Sequence, residues 1–154
     1  MKIGDILKPE SVIADIQAQT KKDIITELSR PIAQAFDINL EEMVGILLNR
    51  EKLGSTGIGE GVAIPHGKIA GLKTIAASVG KNSQGLKFDS LDGKPCHIFF
   101  LLVAPSNSVS GHLKALARAS MLLKSPSLRQ DLMKTASPEE LYAVLTEYDN
   151  KLDE

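Results

Sequence analysis

A glycine-rich segment that ends in a histidine is the feature that most constrains how this chain folds. Residues 53–68 read LGSTGIGEGVAIPHGK, with four glycines before His66 and a fifth directly after it. Glycine loses more conformational entropy on folding than other residues, so a cluster this dense indicates backbone shapes that other residues adopt poorly. Pro65 fixes its own φ and biases Ile64 towards extended geometry, which predicts that His66 is held on a stiff approach.

The chemistry of this histidine suits transient binding of a phosphoryl group. A neutral imidazole is a nucleophile that titrates near physiological pH, and the N–H groups of the glycine segment are donors for phosphoryl oxygens. An incidental surface histidine on a turn is the alternative interpretation of His66. The density of glycines and the preceding proline favour the functional one.

Composition narrows the class of protein. The 154 residues fit one domain, expected to span 1–154, and 43% hydrophobic with 24% charged residues is ordinary for a soluble globular chain. A formal net charge of −1 with no Lys/Arg run gives no electrostatic case for nucleic acid. The single Cys96 excludes an internal disulfide framework and fits a reducing compartment. Since there is no signal-peptide core and no apolar run of bilayer length, we expect a cytoplasmic protein without membrane insertion.

Residue patterns predict strands in the middle of the chain. The segments 12–16, 74–79 and 96–103 are the candidates, and the last is continuously apolar and therefore central in its sheet. Helical periodicity lies on both sides of them in sequence. The economical architecture is an α/β fold in which helices cover both faces of a mixed central sheet.

Capping signals predict where the helices begin. Thr20 and Asn39 precede two periodic apolar segments, the first of which contains Pro31, where we expect a kink or a break. After Pro105 the chain is predicted to be helical to its end, with N-caps at Asn107 or Ser108, at Ser125 and at Ser137.

The other two histidines differ in how strongly their sequence context favours a functional role. His112 is predicted in the first turn of the helix after the central strand, where α/β sheets build ligand sites and free N–H groups favour an oxyanion. A solvated polar residue near a helix start is the alternative. His97 lies in the apolar strand, and we interpret it as a core or edge histidine with one hydrogen bond.

The sequence lacks the residue patterns of metal-binding, nucleotide-binding and hydrolase sites. Cys96 and His97 are adjacent in a strand and point to opposite faces, and no zinc-ligand spacing is present, so no metal site is predicted. The glycine segment has neither a Walker A nor a G-x-G-x-x-G pattern, and no G-x-S-x-G elbow supports a hydrolase. We therefore predict no cofactor.

Two motifs give the chain a recognisable resemblance. Residues 49–59, NREKLGSTGIG, and residues 63–68, AIPHGK, resemble the signature of phosphotransferase-system enzyme IIA domains of the fructose, mannitol and nitrogen-regulatory type. The similarity covers essentially the whole chain, including the FFLLVAP strand and the His-Leu-x-x-Leu helix. It implies a phosphocarrier with a mixed central sheet and helices on both sides.

The resemblance also implies roles for individual residues. His66 matches the family's phosphorylated histidine, His112 its second histidine and Arg50 its active-site arginine. A hydrogen bond from His112 and a bidentate contact from Arg50 suit the oxygens of a phosphoryl group, while a cation at a helix C-terminus is the alternative for Arg50. The hydroxyls of Ser55 and Thr56 are candidate phosphate-binding donors or, with equal weight, local turn formers.

The same resemblance implies partners. His66 is expected to accept phosphate from the small carrier HPr or its nitrogen-branch relative. It would pass that phosphate to a IIB domain or regulate other proteins through its phosphorylation state. The GSTGIG and IPHGK motifs resemble the nitrogen-regulatory type more than a sugar-uptake subunit. The alternatives are a fructose- or mannitol-type uptake subunit, a binding-only regulator that is never phosphorylated, and, more distantly, a hydrolase that depends on Ser55.

Overall fold

The computed structural model describes residues 1–153. After a short 3-10 turn at Ile3–Asp5, the elements are β1 (Leu7–Ile13), α1 (Lys21–Phe36), α2 (Leu40–Lys52), β2 (Gly57–Gly59), β3 (Val62–Ala63), β4 (His66–Ile69), β5 (Ala76–Leu86), β6 (Cys96–Pro105), α3 (Ser110–Leu123), α4 (Pro126–Met133) and α5 (Pro138–Lys151). None of the helices within this range is both long and apolar enough to cross a membrane.

The strands of the described residues form one mixed sheet, in which β6 is the central member. The order is β1-β5-β6-β3-β2, and β4 also pairs with β6. β3 and β4 follow one another in parallel along the same edge of β6, opposite residues 98–99 and 102–105. Residues 64–65 separate them, and Pro65 has no N–H to donate there. His66 therefore begins a strand of the sheet, opposite Leu102.

Both faces of β6 are buried, because its side chains alternate between two apolar clusters. One cluster holds Ile98, Phe100 and Leu102 with residues of α3, α4 and α5. The other holds Phe99, Leu101 and Val103 with residues of α1 and α2. The predicted α/β fold with a mixed sheet and helices on both faces is thus confirmed.

Four predicted N-caps are confirmed by side-chain oxygens that accept a hydrogen bond from a backbone N–H in the first turn, which satisfies a group that the helix itself leaves free. These caps are Thr20, Asn39, Ser125 and Ser137.

Several predicted boundaries are wrong. The first strand runs over Leu7–Ile13 rather than 12–16, and β5 continues to Leu86 because its second half still pairs with β6, up to Cys96. Of the kink or break expected at Pro31, the break is absent, because α1 runs through it with fully buried apolar residues on either side that hold both halves on the sheet. The expected cap at Asn107 or Ser108 is absent, since α3 begins after Val109 without a side-chain cap.

Candidate functional site

The glycine segment folds into short strands rather than into an open loop. β2 and β3 form an antiparallel hairpin whose two connecting residues, Glu60 and Gly61, have φ of 58° and 78°. Positive φ at both positions is typical of the tight turn that matches the twist of a hairpin. Gly57 lies so close to Ser90 that a Cβ there would clash with its side chain and backbone. The glycines therefore allow this segment to join the sheet immediately before His66.

His66 is held in a defined tautomer. Its Nδ1 lies 2.8 Å from the carbonyl oxygen of Ile64. Since a carbonyl oxygen can only accept, Nδ1 carries a proton, and in the neutral ring Nε2 is then the nitrogen with the free lone pair. The side chain is half-buried at the start of β4. When the ring is neutral, this arrangement presents the lone pair of Nε2 on a fixed strand.

His112 lies beside His66. The centroids of the two rings are 5.7 Å apart and their planes are inclined by 51°. His112 is only 8% exposed, so the alternative of a solvated residue at a helix start is wrong. Burial, followed by the positive charge that His66 carries when protonated and by the charge of Lys68, lowers the pKa of His112 below its ordinary value.

The environment of His112 also indicates its tautomer. Its Nδ1 is buried and has no hydrogen-bond partner within residues 1–153. A proton on that nitrogen would be a buried donor without an acceptor, which costs about 1–3 kcal/mol. The neutral ring is therefore expected to carry its proton on Nε2, which makes that nitrogen a hydrogen-bond donor.

Arg50 lies in the last turn of α2, and its Nη1 donates to the carbonyl oxygen of Gly54 at 2.8 Å. A cation at this end of a helix is favoured by the helix dipole. In the described part of the chain, no hydrogen bond joins its guanidinium to His66 or His112. Arg50 is thus fixed to the start of the glycine segment.

The two predicted phosphate-binding hydroxyls have partners of their own. Ser55 donates its hydroxyl to the carbonyl oxygen of Phe88 at 2.5 Å and accepts the N–H of Gly57 at 3.0 Å. Thr56, which is only 4% exposed, donates its hydroxyl to the carboxylate of Glu51. The structure therefore brings His66 and His112 together, and it places these two hydroxyls in bonds that shape the segment before them.

Sequence reasoning missed Glu51. This carboxylate is 7% exposed in the last turn of α2, accepts the N–H of Thr56 at 3.1 Å, and lies 3.4 Å from Nζ of Lys21. The available signal was an acidic residue at the negative end of a helix, where the dipole disfavours it, followed five positions later by a threonine.

His97 lies outside the site, as interpreted from the sequence. Its Nδ1 donates to the carbonyl oxygen of Asn82 at 3.0 Å. Cys96, its neighbour, is buried and lies 3.0 Å from the hydroxyl of Ser90. Over residues 1–153, no group of three or more His, Cys, Asp or Glu residues is arranged to hold a metal ion.

Comparison with known proteins gives one family over nearly the whole chain. Residues 5–148 match the model of the family described as "Phosphoenolpyruvate-dependent sugar phosphotransferase system, EIIA 2". The matched range contains every residue of the site described above.

Individual relatives come from two branches of that family. A "Nitrogen regulatory protein" of Bradyrhizobium diazoefficiens is 37% identical over 94% of this chain and 95% of its own length. A "PTS system fructose-specific EIIABC component" of Bacillus subtilis is 34% identical over 97% of this chain, which spans only 24% of that longer protein. The crystal structure of nitrogen regulatory protein IIA-Ntr from Neisseria meningitidis is similar with a TM-score of 0.87 and 35% identity, over 94% of this chain and 99% of that one.

Proposed function

The chain belongs to the EIIA 2 family of the phosphoenolpyruvate-dependent sugar phosphotransferase system, and on this premise we propose that it is a phosphocarrier whose His66 accepts and passes on a phosphoryl group. The observation that carries the proposal is the hydrogen bond between Nδ1 of His66 and the carbonyl oxygen of Ile64. That bond fixes the proton on Nδ1 and directs the chemistry to Nε2.

The transfer balances without a proton or a water molecule. The lone pair on Nε2 of His66 forms a bond to phosphorus, while the bond between phosphorus and the nitrogen of the donor's phosphohistidine breaks. The electron pair of that bond returns to the donor's ring. The His66 ring gains positive character, and the carbonyl oxygen of Ile64 stabilises it through the Nδ1 proton.

His112 and Arg50 are proposed to stabilise the phosphoryl group. The Nε2 proton of a neutral His112, whose ring lies beside His66, is a donor for a phosphoryl oxygen. Arg50, which matches the family's active-site arginine, is proposed to bind the phosphoryl oxygens after releasing the carbonyl of Gly54. For Ser55 and Thr56, a direct phosphate contact requires each hydroxyl to leave its present acceptor, so the proposal gives them the role of shaping the glycine segment.

The proposed donor is an HPr-type phosphocarrier protein, and the proposed recipients are a IIB domain or regulated target proteins. A nitrogen-regulatory role is favoured by the relative from Bradyrhizobium diazoefficiens, which this chain matches over nearly its full length. A fructose-type uptake role is the second candidate, because the Bacillus subtilis relative is almost as similar.

The test is phosphorylation of the purified protein by phosphoenolpyruvate, enzyme I and either HPr or its nitrogen-branch relative. We expect one phosphoryl group, acid-labile and alkali-stable, detected by mass. His66→Ala should remove it completely. His97→Gln is the matched control, since it removes a histidine of the same sheet outside the site, and it should label like the wild type.

Two results would contradict the proposal. Full labelling of His66→Ala would move the phosphorylation site elsewhere. Absence of label with both carriers would favour a binding-only regulator. Comparing the two carriers at equal concentration also separates the branches, because faster transfer from the nitrogen-branch carrier supports the regulatory role.

A further inference from the structure

We propose that Glu51 is a positioning residue for His66, acting through hydrogen bonds that connect its carboxylate to the imidazole by way of Thr56 and Ile64. Oε1 of Glu51 accepts the N–H of Thr56 at 3.1 Å. The carbonyl oxygen of Thr56 accepts the N–H of Ile64 at 3.0 Å, and the carbonyl oxygen of Ile64 accepts from Nδ1 of His66 at 2.8 Å. Every bond from the carboxylate to the ring is present.

The action of this chain of bonds is mechanical. The N–H and the carbonyl of one residue belong to different peptide planes, so no conjugated path runs from Glu51 to the ring. Instead each residue is held on both sides. Thr56 is held twice by the same carboxylate, through its N–H and its hydroxyl, which leaves it little freedom to shift.

The end of α2 does not by itself account for this carboxylate. The N–H groups of Leu53 and Gly54 already bond to the carbonyls of Arg50 and Glu51, so backbone bonds close the helix. A negative charge in the last turn is opposed by the helix dipole, and its burial carries a desolvation cost. Lys21 offsets part of that cost at 3.4 Å. The negative charge of Glu51 therefore lies where both the helix dipole and burial disfavour it, which suggests that its hydrogen bonds to Thr56 have a function.

The hydrogen bonds of Glu51 set the orientation of the His66 ring rather than the position of β4. The backbone of β4 is fixed by β6, where the carbonyl oxygen of Pro65 accepts the N–H of Leu102 at 2.9 Å. The side-chain torsions of His66 remain, and the carbonyl of Ile64 selects among them. Loss of Glu51 should therefore loosen the Nδ1 bond while the sheet persists.

The first measurement is independent of phosphorylation. Nitrogen-15 NMR of the imidazole ring reports which nitrogen carries the proton. We expect wild-type His66 to be in the Nδ1–H form. Glu51→Ala should populate the Nε2–H form, and Glu51→Gln should do so less, because its amide oxygen still accepts the N–H of Thr56. A contribution of Glu51 to global stability alone would not change the tautomer of a folded protein.

The second measurement rests on the proposed function. The rate at which a phosphorylated carrier transfers to His66 is followed by rapid quench over a range of carrier concentrations. A displacement of about 1 Å costs up to about 100-fold in rate, so we expect Glu51→Ala to be about 10- to 100-fold slower at saturating carrier. The half-saturating concentration should stay unchanged, because Glu51 is buried and does not form a docking contact.

Asp89→Asn is the matched control. Asp89 is the other carboxylate paired with Lys21, at 3.3 Å, and it is exposed and has no part in the bonds to His66. This variant removes one negative charge from the same lysine and should leave both tautomer and rate as in the wild type.

A second variant covers the case in which Glu51→Ala does not fold. Thr56→Val keeps the shape and the backbone N–H and loses only the hydroxyl that Glu51 accepts. It should populate the Nε2–H form partially and slow transfer. In the double variant with Glu51→Gln, the fold-loss in transfer rate should be smaller than the product of the two separate fold-losses. Both changes break the same contact, between the Thr56 hydroxyl and the Glu51 side chain.

The outcomes separate the two proposals. If the wild type takes up no phosphate, the proposed function fails, and the tautomer measurement still decides the role of Glu51. If His66 stays in the Nδ1–H form in Glu51→Ala, or in Thr56→Val where the former does not fold, the positioning role is overturned. An equal effect of Asp89→Asn would overturn it as well, since the charge of the cluster would then be the cause.

Discussion

Two buried carboxylates, in different regions of the molecule, each accept a hydrogen bond from a backbone N–H and lie near a basic side chain. Glu51, at the edge of the site, accepts the N–H of Thr56 and lies near Lys21. Asp149, in α5 near the chain ends, is 1% exposed, accepts the N–H of Ile3 at 2.7 Å and receives Nε of Arg118 at 2.7 Å. Each carboxylate fixes a segment of backbone that lies outside its own helix, either far along the chain, as Ile3 is from Asp149, or just beyond the helix end, as Thr56 is from Glu51.

The difference lies in how completely each charge is compensated. Arg118 also bonds to the backbone of Asp149 and to the carboxylate of Asp153, so its cluster joins the first residues, α3 and α5. Glu51 has one lysine at 3.4 Å, and its backbone contact leads towards His66. We infer that the cluster of Asp149 and Arg118 mainly stabilises the fold. The cluster of Glu51 and Lys21 mainly sets the geometry of the site.

Asp149→Ala should give the largest change in stability. It leaves the buried N–H of Ile3 without its acceptor and removes one of the two carboxylates bound to Arg118, which keeps Asp153, so we expect a loss of about 1–3 kcal/mol in the free energy of unfolding. Urea denaturation measures this loss. Under native conditions the rate of His66 phosphorylation should match the wild type, because no bond of this cluster leads to the site.

Asp149→Asn sharpens that test. Its amide oxygen still accepts the N–H of Ile3, so it should lose less stability than the alanine variant. A slow transfer rate in folded Asp149→Ala would erase the distinction between the two clusters.

His112→Ala should produce an effect of the opposite kind. It removes a donor proposed to stabilise the phosphoryl group, for which about 100-fold in rate is typical. Some labelling of His66 should remain, since the nucleophile is intact. Single-turnover transfer from a phosphorylated carrier measures the rate, and the stability should change less than in Asp149→Ala.

His112→Gln separates the donor from the bulk of the ring. It keeps a side-chain N–H and should retain more of the rate than alanine does. Equal rates for the two variants would indicate that the ring acts through packing, which would contradict the donor role.

The sequence predicted the parts of the fold that depend on strong local patterns. The apolar run of β6 indicated a strand buried on both faces, and Thr20 and Asn39 marked helix starts through their side chains. The strands around the glycine segment escaped prediction because two or three residues have no readable period. Val62–Ala63 becomes a strand by pairing with β2 on one side and, on the other, with β6, which is more than 30 residues away.

The site was predictable in its types of residue and less so in its contacts. Pro65 and the flanking glycines indicated a fixed His66, yet the carbonyl of Ile64 that orients its ring depends on three-dimensional geometry. His112 was expected near a helix start, but its burial follows from packing beside β4. Glu51 was not predicted, because its carboxylate accepts a hydrogen bond from the backbone N–H of Thr56, and residue type alone does not indicate such a contact.

The smallest predicted effect concerns pH, and it distinguishes the two regions again. Bonds to Arg118 and Lys2 hold the pKa of Asp153 far below its usual range, so that carboxylate keeps its charge at mildly acidic pH. The pKa of His112 is lowered from the ordinary 6.5, chiefly by burial. Between that lowered pKa and 6.5 the unfolded chain binds more protons at this residue than the folded one does, so stability falls as pH drops through this window.

The measurement is the free energy of unfolding from urea curves at several pH values between about 7 and 5, for the wild type and His112→Gln. Because the other titrating groups are common to both proteins, the difference between the two curves isolates His112. The wild type should lose stability more steeply on acidification. Parallel curves would mean that burial does not disfavour a charged His112, and below pH 6.5 the site would then carry a cation beside His66.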